Sequence, residues 1–235
     1  MYSESAVSVV IAALNEQAGI GPTLKELHAV LVDPRIIVVD GNSVDKTAEI
    51  AEKMGAFVVQ QMGKGKGDAL REGIRQLDTD VRYVVFTDAD HTYPAKYVPQ
   101  MIEILERNPK IGMVIGKRFY DEQSFARSYT SPFYVGNRLL ATAQHVLNGI
   151  KLEDPLSGLR VVRHEILKGW NPKSKGFDVE AEMNFHVENK GYKIMEIPVE
   201  YRDRLGKKKL SLKHGFPIFM RILMESLNIE VGRRD

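Results

Sequence analysis

Short, wholly apolar runs alternate with helical patterns along the first half of this chain, and that alternation limits its fold more than any other feature. "VSVVIAAL" (Val7 to Leu14), "RIIVVDG", "AFVVQ" and "VRYVVFTD" are runs of strand length, rich in β-branched residues. Between them lie helical patterns. One runs through Leu24, Leu27, Val30 and Leu31. "SVDKTAEIAEKMG" offers Ser43 or Asp45 as N-cap and Gly55 as C-cap. "GDALREGIRQL" is the third, and Pro94 to Arg107 the fourth. A strand that is apolar on both faces must be covered on both. The order therefore predicts an α/β fold with a mostly parallel central sheet flanked by helices, in a single domain.

The rhythm changes after "IGMVIGKR". "RFYDEQSFARSYTSP" has no clear period and reads as a long functional loop. A helix is expected from Phe133 to Leu147, a strand running into a short helix at "LSGLRVVRHEIL", and a helix ending at Gly191 in "FDVEAEMNFHVENKG". "YKIMEIPVEY" reads as another strand, and the chain from about Phe216 as helix. The expected division is a main domain over residues 1–211 and a C-terminal amphipathic helix and tail over 212–235.

The absence of cysteine excludes a disulfide framework and thiolate metal sites. The opening "MYSESAV" lacks the basic and apolar regions of a signal peptide. No segment approaches the roughly 20 apolar residues that span a bilayer. The expectation is a cytoplasmic protein, at most peripheral on the cytoplasmic face of a membrane. The net charge of +2 hides an asymmetry: residues 201–235 carry nine Lys/Arg against four acids, which leaves −3 for the rest. A basic end of this kind suggests an anionic partner.

Three strand ends carry polar groups: Asn15 and Glu16, Asp40, and Asp88 with Asp90. Right-handed crossovers place such ends along one sheet edge, where ligands bind in open α/β sheets. Burying carboxylates is unfavourable by several kcal/mol unless something compensates. Asp88-Ala89-Asp90 is readable as a turn and helix cap, or as a pair holding a hard divalent cation such as Mg²⁺ or Mn²⁺. Gly63-Lys64-Gly65-Lys66-Gly67 is not a phosphate loop of the G-x-x-x-x-G-K-[ST] type, yet it sets glycines and lysines where a helix start can meet an anion.

"VVIAALNE", "VVDGNSVDKTAEIA", "GKGKGDALREGI", "FTDADHTYP", "DPLSGLRVVR" and "GFDVEAEM" occur in order over nearly the whole chain. Together they resemble the inverting family-2 glycosyltransferases of GT-A fold, in the branch that makes polyprenyl-phosphate sugars such as dolichyl-phosphate mannose or glucose. The resemblance implies a metal-dependent transfer of a hexose from UDP-glucose, UDP-N-acetylglucosamine or GDP-mannose to a polyprenyl phosphate, with no nucleic-acid partner. The alternative is transfer to a soluble hydroxyl acceptor, with Glu182 as the general base that such an acceptor needs.

By that resemblance Asp90, with Asp88, holds the metal. Ala13, Asn15, Glu16, Asp40, Lys66, Asp68, Asp88, Ala89, Arg202 and Lys209 attend the nucleotide sugar. Arg204 stabilises the leaving diphosphate, and Glu182 is the active-site carboxylate of the second half. Arg118, Arg127, Ser131, Asp154, Ser157 and Arg160 are the candidates for the acceptor phosphate. The sequence departs from the family pattern at Thr92, where a glutamine is common, and at Asp40-Gly41, where paired aspartates are common.

Leu212, Phe216, Phe219, Leu223 and Leu227 form one helical stripe. Packing on the domain, an anionic membrane surface and a homodimer contact are its three readings.

Overall fold

A computed structural model describes residues 7–118 and 131–232, with residues 228–232 described by their backbone alone. Strands form where the apolar runs place them: β1 (Val7–Ala13), β2 (Arg35–Asp40), β3 (Phe57–Gln60) and β4 (Tyr83–Asp88). They are parallel and lie in the order β3-β2-β1-β4. Successive side chains of a strand point to opposite faces, so each run feeds two cores. On one face Val9, Ile11, Val38 and Val85 cluster with Ile20, Leu24 and Leu27 of α1 (Ile20–Val30) and Ala51 of α2 (Thr47–Lys53). On the other, Val10, Ile37, Val39, Val84 and Phe86 cluster with Ala69 and Leu70 of α3 (Lys66–Arg75).

The turn before α2 is closed by Asp45, which accepts from the Thr47 backbone N–H at 3.0 Å, whereas Ser43 Oγ accepts from Asn15 N–H at 2.8 Å. Gly55 follows the helix with φ of +82°, the left-handed conformation glycine adopts freely. The stretch from Pro94 is divided: a 3₁₀ turn, Ala95–Tyr97, leads into α4 (Val98–Arg107).

The second half adds β5 (Ile111–Lys117), α5 (Pro132–Asn148), β6 (Arg160–Arg163), α6 (His164–Leu167), α7 (Val179–Asn189), β7 (Lys193–Pro198) and α8 (Gly215–Gly232). The seven-stranded sheet continues from β4 as β6-β5-β7, and β6 runs antiparallel to both its neighbours. The sheet is thus mostly parallel, with one reversed strand.

The C-terminal helix packs on the domain through Ile218 and Ile222, which cluster with Ala181 of α7 and with Leu140, Ala143 and Leu147 of α5. The five-residue stripe read from the sequence is not the packing face. Leu212, Phe216, Phe219 and Leu227 are exposed, because Ile218, Ile222 and Glu225 occupy the inward side. Among the described residues no helix is long and apolar enough to cross a membrane.

Candidate active site

Strand β1 has its chain neighbour β2 on one side and β4 on the other, so the crossovers leave it in opposite directions. Such a switch point opens a crevice beyond the carboxyl ends of the strands. Ala13 is level with Asp40 and Ala12 with Asp88. A cleft of about 420 Å³ lies there, lined by Ala12 to Leu14, Glu16, Gly41, Asn42, Gln61, the glycine-rich loop, Asp88 to Asp90, Phe177, Arg204, Lys209 and Leu210.

The compensation for the buried carboxylates is visible. Lys66 Nζ donates to Asp88 Oδ1 and also pairs with Glu180 Oε1, each at 2.7 Å. Burial alone would push this ammonium down, but the Asp88 and Glu180 charges raise it well above an ordinary lysine. Burial likewise works against the Asp88 carboxylate, yet Lys66 holds it below the usual aspartate range, with help from Arg204 and Arg118.

Asp90 is buried, and its Oδ1 accepts from Thr92 N–H at 3.1 Å and from Thr92 Oγ1 at 2.6 Å. Its Oδ2 pairs with Arg204 at 2.5 Å. Arg204 also reaches Glu16 at 3.5 Å, and Lys209 pairs with the same Glu16 oxygen. Desolvation nevertheless raises the Glu16 carboxyl above its ordinary value, with Lys209 opposing. Its other oxygen, Oε2, is buried with no hydrogen-bond partner.

The cations arrive on a strap, residues 201–211, held by main-chain bonds: Arg202 N–H donates to Thr92 O and Leu205 N–H to Asp90 O, both at 3.0 Å. On the far side the turn of residues 88–90 is pressed against the start of α1. A Cβ on Gly19 would lie 2.6 Å from both Ala89 O and Asp90 Cα. Gly19→Ala is therefore expected to shift the carboxylate turn and lower stability by about 1–3 kcal/mol. Denaturant melts beside a nucleotide-binding titration check this, and unchanged values in both would mean the approach relaxes freely.

Several sequence candidates are placed elsewhere. Glu182 is the main correction. Both its oxygens accept backbone N–H groups, of Lys173 at 2.8 Å and Ser174 at 2.7 Å, and it faces Arg221 of α8 rather than the cleft. Residues two apart on a helix do not share a face, and it is Glu180 that meets Lys66, the cation it shares with Asp88. Arg202 is held outside the cleft by Glu26 at 2.7 Å and His91 at 2.9 Å. Asp68 is paired with Arg71 and Gln61 at the base of the glycine-rich loop. Asn15 accepts from Val44 N–H, bracing the loop after β2, and Asp40 accepts from Ser43 N–H just behind Gly41 and Asn42.

The acceptor candidates divide similarly. Arg160 is buried and donates to the carbonyls of Ser157 and Pro155 and to Asn184 Oδ1. Ser157 is enclosed with Tyr93 and the Gly116 carbonyl. Asp154 is fully buried and holds Arg118 by two side-chain bonds of 2.8 and 2.7 Å. These residues shape the wall behind Asp88 instead of offering free charges. Ser131 is the N-cap of α5, and Arg127 lies outside the described residues.

Sequence reasoning missed Glu180, Gln61, Asn42 and Phe177. Glu180 had a signal: it sits two positions from Glu182 in the same motif, and residues two apart on a helix point to different faces.

The donor set suits a hard divalent cation. It consists of carboxylate oxygens, one of them the unpartnered Glu16 Oε2. Among the described residues no three or more His, Cys, Asp or Glu are poised as an all-protein metal cage. That is how Mg²⁺-type sites are built, with one or two carboxylates and the remainder from water and substrate phosphates.

Comparison with known proteins agrees with the geometry. Residues 8–170 match the glycosyl transferase family 2. A dolichyl-phosphate hexose transferase of Haloferax volcanii is 32% identical over 89% of this chain and 88% of its own length. Glycosyltransferase AglJ of the same organism is 36% identical over 72% of this chain, which spans 54% of that relative. A crystal structure of glucosyl-3-phosphoglycerate synthase from Mycobacterium tuberculosis, with Mn²⁺, UDP-glucose and phosphoglyceric acid, superposes with a TM-score of 0.70. It covers 94% of this chain and 79% of that one at 24% identity. The chain belongs to glycosyl transferase family 2 and is a glycosyltransferase of GT-A fold.

Proposed function

We propose that this glycosyltransferase moves a hexose from a nucleotide sugar to a polyprenyl phosphate, of dolichyl type, by a single inverting displacement. The observation that carries the reading is the cleft at the switch point, where Asp88 and Asp90 stand under Arg204 and Lys209. The nucleoside would lie along Ala12 to Leu14, Gly41, Asn42 and Gln61. Its diphosphate would lie between the glycine-rich loop and the strap.

Asp90, with Asp88 beside it, would hold Mg²⁺ or Mn²⁺, which supplies Lewis-acid stabilisation of the diphosphate leaving group. Arg204 then serves two partners in turn. It neutralises Asp90 in the free protein, and it is within reach of the diphosphate once that arrives. A guanidinium pairs well with phosphate and offsets charge developing on the leaving group. Lys66 keeps Asp88 ionised and fixed.

A phosphate acceptor is already ionised near neutral pH and needs no base to take a proton. The hydroxyl-acceptor alternative rested on Glu182, whose oxygens are engaged by backbone N–H groups away from the cleft. The relative named as a dolichyl-phosphate hexose transferase, similar over nearly its whole length, supports the same acceptor class.

The test is a transfer assay with radiolabelled UDP-glucose, UDP-N-acetylglucosamine and GDP-mannose offered in parallel, with polyprenyl phosphate and Mn²⁺. Label from one donor is expected in the organic phase. Slow hydrolysis of a donor with no lipid labelled would keep the nucleotide cleft and overturn the acceptor.

A further inference from the structure

Two adjoining helices turn apolar side chains outward. On α5 these are Val135, Leu139 (66% exposed) and Val146 (73%). On α8 and the turn before it they are Leu212, Phe216 (71%), Phe219 and Leu227. The helices pack on each other through Leu140, Ala143 and Leu147 against Ile218 and Ile222, and Asn148 Nδ2 donates to the Ile222 carbonyl at 3.1 Å. Single exposed apolar residues are ordinary on a protein surface. A run of them shared by two neighbouring helices marks an interaction face.

The charge on these segments identifies the occupant. No Asp or Glu occurs between Ser131 and Leu152, or between Arg204 and Met224. Arg138, Lys207, Lys208 and Lys213 are all exposed there. Lys208 Nζ lies 3.0 Å from the ring centre of Phe133 in the first turn of α5, which joins the cationic strap to the apolar helix.

We propose that the paired faces of α5 and α8 seat on an anionic lipid bilayer, apolar side chains entering the acyl boundary and the cations meeting headgroup phosphates. The surface is wider than the basic C-terminal segment alone, because α5 supplies Val135, Leu139 and Val146. A second copy of the chain suits it less well. A two-fold contact sets the same patch against itself, and these cations would then face one another. The inference stands on exposure and charge alone, so it holds independently of the acceptor assignment.

The experiment is co-sedimentation of the full chain with vesicles of phosphatidylcholine, with and without phosphatidylglycerol, in the absence of any sugar nucleotide. The wild-type chain should pellet with the anionic vesicles and be released by salt. Leu139→Asp/Phe216→Asp should weaken that partitioning by about tenfold or more, since each change removes an inserted apolar group and adds repulsion. Lys207→Glu/Lys208→Glu should weaken it while leaving all apolar contacts in place, and it carries the test if the first variant does not fold. Equal pelleting of wild type and variants, or no preference for phosphatidylglycerol, would overturn the proposal. So would a wild-type dimer in sedimentation velocity that Leu139→Asp/Phe216→Asp dissociates without changing vesicle binding.

Discussion

Asp90→Ala is expected to reduce divalent-metal-dependent sugar transfer by about a thousandfold or more, the scale on which removing a charge-stabilising group acts. The chain should still fold. Asp90 sits in a turn outside the strands, and the strap that crosses it is held by main-chain bonds from Arg202 to Thr92 and from Leu205 to Asp90, which need no carboxylate. Arg204 loses one partner and keeps Glu16, and its half-open position lets water take up the remainder. Circular dichroism and thermal melts should therefore stay near wild type while turnover disappears. Nucleotide binding, measured with and without Mn²⁺, gives a second readout: the metal should strengthen binding in the wild type and do little in the variant. Wild-type turnover in Asp90→Ala would remove this residue from the chemistry.

Lys66→Met should have the largest effect on stability. The substitution keeps the length of the side chain and removes the charge that Asp88 and Glu180 share. Leaving buried carboxylates without their cation is unfavourable by about 3–5 kcal/mol. The effect has a definite pH dependence. Asp88 has a folded-state pKa held below its ordinary value of 3.8, so its contribution is present above that value and lost as the pH falls through the lower, folded value. The gap between wild type and Lys66→Met should accordingly be wide near neutral pH and narrow on acidification. Urea melts across that range read it directly. A gap of constant width would mean that Lys66 acts through packing alone.

The alternation of apolar runs was enough to fix the sheet and its two cores, because parallel strands buried on both faces leave no freedom of pattern. The carboxylates Glu16, Asp88 and Asp90 followed from the same topology, Lys66, Arg204 and Lys209 from the family resemblance, and all six line one cleft. The sequence was less informative where one motif carried two groups of the same kind. Glu180 and Glu182 differ only in helical phase, and that phase is set by the backbone of residues 173–174 and by Arg221, which lies far along the chain. Arg160 and Asp154 became candidates for the acceptor phosphate through the family resemblance of their motif. Their partners, the Pro155 carbonyl and Arg118, are known only once β6, α7 and the end of β5 have been brought together. The outward stripe of α8 was legible as a period and not as a direction, since Ile218 and Ile222 offered an equally good inner face.

The strap over the cleft is held twice, by peptide groups at 202 and 205 and by the Arg202, Arg204 and Lys209 side chains. The two main-chain bonds that set its register would form with almost any residues at 202 and 205. Asp203, Leu205 and Lys207 are exposed, so replacing them changes what the roof presents without moving it. The molecule thus separates a durable frame from interchangeable fittings. Substitution at these three exposed positions should therefore leave the carboxylate turn beneath the strap undisturbed.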